Sequence, residues 1–205
     1  IYQRTDKFEE FPNTDSTIIR RYDLKLKKDA DVTFFVSKKL FNQEAGECRK
    51  AVLIDHGVDF ENFASAEKNE MIPDDIRNLP KPIVGFFGSI DSHTFDVDLV
   101  EQIVNISKDM TFVFIGKCSI HNKAVWSKPN VRMLGQKPYE QIPHYGKYFD
   151  AAIMPWRRNT WIENCNPIKL KEYLALGKPV VSTPFAELQK YSDVVYVADN
   201  PVDFS

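Results

Sequence analysis

From residue 83 onward, short apolar runs alternate with helix-forming segments, and that rhythm leaves few folds open. The runs are Ile83-Val-Gly-Phe-Phe-Gly88, Thr111-Phe-Val-Phe-Ile-Gly116, Val131-Arg-Met-Leu-Gly135, Ala151-Ala-Ile-Met-Pro155, Pro179-Val-Val-Ser-Thr183 and Val194-Val-Tyr-Val197. A strand apolar on both faces must be covered on both, which antiparallel sheets with a wet face do not require. Helical stretches at 96–108, 139–149, 167–176 and about 186–191 supply the cover. Right-handed crossovers then predict an α/β protein with a doubly wound, Rossmann-like parallel sheet.

The part before residue 83 is less regular. It is charged and helix-like to about Lys28. Ala30-Asp-Val-Thr-Phe-Phe-Val-Ser37 follows as a strand, then a short polar helix, then the strand Ala51-Val-Leu-Ile54. Asp55-His-Gly-Val-Asp59 breaks the pattern, with Gly57 free to take a positive φ. Residues 60–82 are polar and interrupted by Pro73, Pro80 and Pro82, which suits a linker with one helical turn. The expected organisation is a partial N-terminal domain over 1–57, a linker over 58–82 and the main domain over 83–205. A further helix is expected after Ser205. The chain starts Ile-Tyr-Gln-Arg rather than with Met, and we expect it to be a piece of a longer protein.

Composition excludes several classes. A formal charge of -2 lacks the basic surplus of a protein that grips a nucleic-acid backbone. No stretch approaches the ~18 apolar residues of a membrane span. Cys48, Cys118 and Cys165 are scattered without CxxC spacing, which fits a reducing, cytoplasmic setting without a disulfide framework. His56, His93, His121 and His144 show no zinc-binding spacing, so no metal site is expected. Asp91, Asp96 and Asp98 suit the start of a helix, where carboxylates favour the dipole, better than a cation site.

The stretch Asn166-Pro-Ile-Lys-Leu-Lys-Glu-Tyr-Leu-Ala-Leu-Gly-Lys-Pro-Val-Val-Ser-Thr183 carries the most chemistry. Asn166 suits an N-cap, Pro167 a first helical position, and Gly177 with Pro179 a stop. The exposed N–H groups and dipole of such a helix start make an anion site. Lys169 in the first turn adds charge for a diphosphate. Glu172 shares its face about 4.5 Å further along the axis, placed to accept hydrogen bonds from ribose hydroxyls. Spacing alone equally allows an ordinary capped helix with a solvated Lys–Glu pair.

These residues resemble the signature of GT-B glycosyltransferases, and above all the retaining family with the pattern Glu-Ala-Met-Ala-x-Gly-x-Pro-Val-Val, here Glu172-Tyr-Leu-Ala-Leu-Gly-Lys-Pro-Val-Val181. Residues 30–37 and 55–59 resemble the same family's Ala-Asp…Ser strand and Asn-Gly-Val-Asp hinge. Val131–Gly135, Tyr139–Pro143 and Asp150–Pro155 fall in family order. The Asn166-Pro-Ile-Lys…Glu-Tyr-Leu form resembles bacterial teichuronic-acid-type transferases.

The resemblance implies a glycosyltransferase moving a sugar from a nucleotide-diphosphate donor to a glycan or lipid-linked acceptor in bacterial cell-surface polysaccharide synthesis, with retention of anomeric configuration. It implies a donor domain over 83–205 and a remnant of the acceptor-binding domain over 1–57. In it Glu172 binds the ribose, the backbone of Asn166, Pro167, Ile168 and Lys169 holds the diphosphate, Gly88 and Ser89 approach the phosphates, and Gly116, Lys117, Gly135 and Lys137 border the base. Asn164 stands where the family has the first carboxylate of a Glu-x7-Glu pair, Glu163 is one residue off that register, and the Arg…Lys pair common after the first strand is missing; Arg157 and Arg158, after the fourth strand, either replace that charge or form an ordinary solvated loop pair. No catalytic residue is singled out, and neither cofactor nor metal is implied. The full-length enzyme is expected in the cytoplasm, with peripheral association at the inner face of the membrane. A nucleotide-sugar epimerase of the same fold, or a non-catalytic sugar-nucleotide-binding module, stays open; epimer formation without acceptor would identify the first.

Overall fold

The computed structural model describes all 205 residues. They pack as two compact units, neither continuous in sequence. One comprises residues 1–57, 158–167 and 185–191; the other comprises 58–157, 168–184 and 192–205. None of the helices is long and apolar enough to cross a membrane.

The first unit is built on a three-stranded parallel sheet in the order β1 (Tyr2–Arg4), β2 (Thr33–Phe35), β3 (Ala51–Leu53). Helix α1 (Ser16–Asp29) joins β1 to β2, α2 (Lys38–Glu44) precedes β3, and the short α6 (Thr160–Glu163) belongs to this unit from later in the chain. Asp15 caps α1 by accepting from the amides of Thr17 and Ile18 at 3.0 and 3.1 Å. Ser37 caps α2, and the carboxylate of Glu187 accepts from the Lys38 amide at 2.5 Å, so a side chain from late in the sequence fills that helix's anion position.

β1 corrects the expectation of a helix running from the start of the chain. Its only fully buried residue is Arg4, which a hydropathy pattern places at the surface. The guanidinium is accommodated by Glu9 at 2.8 Å, Glu44 at 3.0 Å and Asp23 at 3.3 Å. Lys27, also buried, bonds Asp23 at 2.5 Å, Glu47 at 2.9 Å and Glu44. Charges are tolerated inside only when paired in this way.

The second unit holds a six-stranded, wholly parallel sheet. Its strands are β4 (Ile83–Phe87), β5 (Thr111–Ile115), β6 (Val131–Gly135), β7 (Ala151–Met154), β8 (Val180–Ser182) and β9 (Val195–Val197). The spatial order is β6-β5-β4-β7-β8-β9, so the winding reverses between β4 and β7, where sheets of this type bind ligands. On one face Val84, Phe86, Phe112 and Phe114 pack with Val100, Ile103 and Val104 of α4 (Val97–Ile106). On the other, a Cβ added to Gly85 would lie 2.1 Å from the Phe149 ring, so only glycine fits. Asp91 accepts from the amides of His93 and Thr94, and Asp96 caps α4 at Leu99, in keeping with helix-start roles.

The proline-rich stretch also belongs to this unit. It contains α3 (Phe60–Ser65), whose Phe63 is fully buried against Phe87 and Tyr139. The expected helix over 139–149 is a 3-10 turn (Tyr139–Gln141) followed by α5 (Ile142–Gly146), because Phe149 leaves the helix to fill the space above Gly85. The stretch expected as a helix near 186–191 is 3-10 throughout.

Candidate functional site

Helix α7 (Ile168–Ala175) organises the candidate site. Pro167 lies just before it rather than inside its first turn, as its lack of an N–H permits. The far end stops on Gly177 at φ +66°, with Gly177 N–H donating to Leu174 O (2.9 Å) and Lys178 N–H to Tyr173 O (3.0 Å). This is the left-handed glycine stop expected from the sequence. The Tyr173 phenol, fully buried, accepts from the Phe87 amide at 2.9 Å and fixes α7 against β4.

Three glycines close β4, β5 and β6 side by side. Gly88 (φ +137°) donates to Ile115 O at 2.9 Å, and Gly116 (φ +143°) donates to Gly135 O at 2.8 Å. A Cβ on Gly116 would fall 1.9 Å from the Gly88 carbonyl oxygen, and one on Gly88 would fall 2.3 Å from Lys169 Nζ. The strand ends are thus stripped of side chains where Lys169 arrives. Its ammonium lies 4.6 Å from the centre of the Phe86 ring and 5.4 Å from that of Trp156, two π-faces that steady a cation without neutralising it.

Glu172 is 6% exposed, and its Oε1 accepts from the Tyr139 phenol at 2.8 Å. Burial raises the carboxyl above its ordinary range, opposed by the Tyr139 hydrogen bond and the charge of Lys169. Burial and the same bond push the Tyr139 phenol up to about 12. A buried carboxylate with one tyrosine partner retains acceptor capacity for further hydroxyl donors.

The remaining candidates divide between the units. Ser89 is exposed and donates to Asp91, whose carboxyl is held below its usual range because hydrogen bonds from Thr94, His93 and Ser89 outweigh burial. Ile168 and Lys117 are exposed. Lys137 is engaged with Asp75 at 2.7 Å and lies over the Tyr145 ring at 5.2 Å. Arg158, Asn164, Asn166 and Pro167 pack within the first unit. There Asn166 Nδ2 donates to Val36 O (2.6 Å) and Asp55 Oδ1 (2.7 Å), and Asn164 Nδ2 donates to Thr160 O (2.8 Å). Glu163 pairs with Lys39 at 2.5 Å.

The structure therefore brings Gly88, Gly116, Gly135 and Lys169 together, with Glu172 on the same helix as Lys169. The sequence reading missed the partner role of Tyr139, 33 positions from Glu172, and the aromatic cradle of Phe86 and Trp156 around Lys169. Nothing in the spacing of Trp156 pairs it with Lys169. The acidic trio Asp23, Glu44 and Glu47, whose ligand atoms lie within 4.8 Å of one another, could hold a cation by geometry. Lys27 Nζ contacts all three and supplies the positive charge.

The profile of the "Glycosyl transferases group 1" family matches residues 81–204. The chain belongs to this family. It is 30% identical over 179 residues, 82% of its length, to TuaH of Bacillus subtilis (strain 168), named for a teichuronic acid biosynthesis glycosyltransferase. It spans 43% of that relative and 57% of the first solved structure below. Anabaena HepE, solved with UDP and glucose, superposes over 98% of the chain with a TM-score of 0.72 at 15% identity. S. aureus TarM, solved as a mutant with UDP, fondaparinux and α-GlcNAc-glycerol, covers 97% of the chain, which spans 40% of it, with a TM-score of 0.70 at 12% identity. These likenesses establish the GT-B type of fold, in agreement with the two parallel α/β sheets.

Proposed function

We propose that this chain carries the donor-binding half of a glycosyltransferase that takes a sugar from a nucleoside diphosphate and transfers it to a glycan or lipid-linked acceptor. One observation carries the reading most: Lys169 and buried Glu172 share α7, and Lys169 reaches the bare strand ends at the point where the sheet reverses. In this reading the amino end of α7 and Lys169 hold the diphosphate. Glu172 takes the ribose hydroxyls, and the Gly116–Gly135 edge borders the base. Stabilisation of the departing diphosphate by fixed N–H dipoles and an ammonium is strongest where water is excluded. The nucleotide sugar is a substrate, and the reading needs no separate cofactor.

HepE and TarM, both solved in complex with UDP, favour UDP as the nucleotide. The name of TuaH favours a cell-surface polysaccharide as the product. We place the full-length enzyme in the cytoplasm, acting at the inner face of the membrane, with residues 1–57 belonging to its acceptor half and 83–205 to its donor half.

Calorimetric titration of UDP, GDP, ADP and dTDP into the chain tests the reading. The expected result is that one nucleotide binds and that Glu172→Ala weakens it about tenfold or more, on the order of 1.4 kcal/mol. If no nucleotide binds a folded sample, the donor-site reading fails.

A further inference from the structure

Tyr139 is tied to the candidate site at both ends of its side chain. It opens the turn after β6 and follows Gly135 by four positions, so the segment read as bordering the base also reaches the carboxylate read as taking the ribose. Its ring packs edge to face on Phe63 of α3, which is fully buried, with 5.8 Å between centres. Tyr139 itself is 49% exposed. Its phenol donates its one O–H to Glu172 Oε1 at 2.8 Å.

That bond joins two parts already fixed, since the Tyr173 phenol anchors α7 to β4. One consequence is directional. The last torsion of a glutamate side chain is broad and soft, so an unheld carboxylate swings. With Oε1 held by Tyr139, Oε2 is the oxygen left for a ligand hydroxyl. The second consequence is chemical, because a hydrogen bond donated to the anion favours the anion. Burial works against ionisation of Glu172, and Tyr139 and Lys169 work for it. The other groups nearby do neither job. Tyr173, on the same helix, accepts from the Phe87 amide. From α3, which packs on α7, Asp59 acts on the Tyr139 phenol and Glu61 is exposed.

We propose that Tyr139 is a positioning residue for donor selection: its phenol orients Glu172 so that Oε2 accepts from a ribose hydroxyl, and the site thereby selects ribonucleotides over deoxyribonucleotides. The assignment rests on the donor-site reading above and narrows its substrate class. A site built to hydrogen-bond a hydroxyl discriminates strongly against the analogue that lacks it, because its polar group is then left unpaired.

Calorimetry with UDP and 2′-deoxy-UDP at pH 6 and pH 8 tests it, on wild type, Tyr139→Phe, Glu172→Ala and the double variant. Wild type is expected to bind UDP about tenfold tighter than 2′-deoxy-UDP. Tyr139→Phe keeps the ring on Phe63 and should cut that preference to about twofold. Its loss of UDP affinity should be larger at pH 6, where its carboxyl is protonated to a greater extent than that of wild type, than at pH 8. The terminal phosphate titrates alike in both proteins and drops out of the comparison. In the Glu172→Ala background the same substitution should change nothing further, since a residue acting through Glu172 has no effect without it. Three results overturn the assignment: wild type without a preference, Tyr139→Phe with the full preference, or an equal loss in both backgrounds, which marks a purely structural role. A wild-type chain that binds neither nucleotide overturns the donor-site reading instead.

Discussion

Replacing Tyr139 by Phe removes a single oxygen and exposes how Glu172 is kept ionised. The ring stays packed against Phe63, 5.8 Å between centres, so the change is confined to the hydrogen bond on Glu172 Oε1. A hydrogen bond to a charged group contributes ~1.5–3 kcal/mol, and a buried carboxylate left without it retains its desolvation penalty. The wild-type carboxyl is already raised by burial, with Tyr139 and Lys169 pulling it back. Without Tyr139 it rises further. A group whose folded pKa lies above its unfolded value stabilises the fold only while protonated, and that contribution is lost as pH rises through the folded pKa. The variant should therefore be less stable than wild type by ~1.5–3 kcal/mol at pH 8. The gap should narrow as pH falls, because protonation of the carboxyl removes the charge that the Tyr139 hydrogen bond stabilises. Urea unfolding followed by tryptophan fluorescence at pH 5 and pH 8 measures this. A gap of equal size at both pH values, or none at pH 8, would refute the account of Glu172 as a strained, tyrosine-held carboxylate.

Other outcomes follow from the same geometry. Lys169→Met keeps the aliphatic stem between Phe86 and Trp156 but removes the charge, so UDP affinity should fall about tenfold while uridine, which lacks phosphates, binds as before; calorimetry with both ligands checks it. Gly116→Ala places a Cβ 1.9 Å from the Gly88 carbonyl oxygen at a φ of +143°, and should cost about 3 kcal/mol or more in denaturant unfolding. Arg4→Met leaves Glu9 and Glu44 buried with too little positive charge and should destabilise the first unit by about 3–5 kcal/mol at pH 7. Burial opposes ionisation of Glu44, but Arg4 and Lys27 lower its carboxyl below the ordinary value. Its contribution is therefore present above the unfolded value and lost as acid titrates it, so circular dichroism should show wild type losing stability below about pH 4.

The six-stranded sheet was legible because its signals are local. β4 and β5 are buried at every residue, and such runs are as readable in sequence as in space. Gly177 and Pro179 declared the end of α7 for the same reason. The first unit was harder to read, since β1 is three residues long and buries an arginine whose acceptability depends on carboxylates up to 40 positions away. At the site, Lys169 and Glu172 could be placed on one helix face from their spacing. What each touches could not, because Tyr139, Phe86 and Trp156 reach them only through the packing of the sheet. Lys137 is a further case: its ion pair with Asp75, 62 positions away, leaves no local signal in the sequence.

The discontinuity of the first unit bears on how the polypeptide matures. Its three-stranded sheet is translated by residue 57, yet the segment carrying Trp161 follows roughly 100 residues later and the segment carrying Glu187 roughly 130 later. At ribosomal speeds of about 5–20 residues per second, that is a wait of about 7–27 s with a half-built core. In that interval the start of α2 lacks the Glu187 carboxylate on its first amide, and Phe11 lacks the indole it rests on. The six-stranded sheet, whose strands follow one another directly, can begin to assemble meanwhile. Truncation anywhere before residue 191 should therefore harm residues 1–57 as well as those near the cut, and chaperone dependence should concentrate in the first unit.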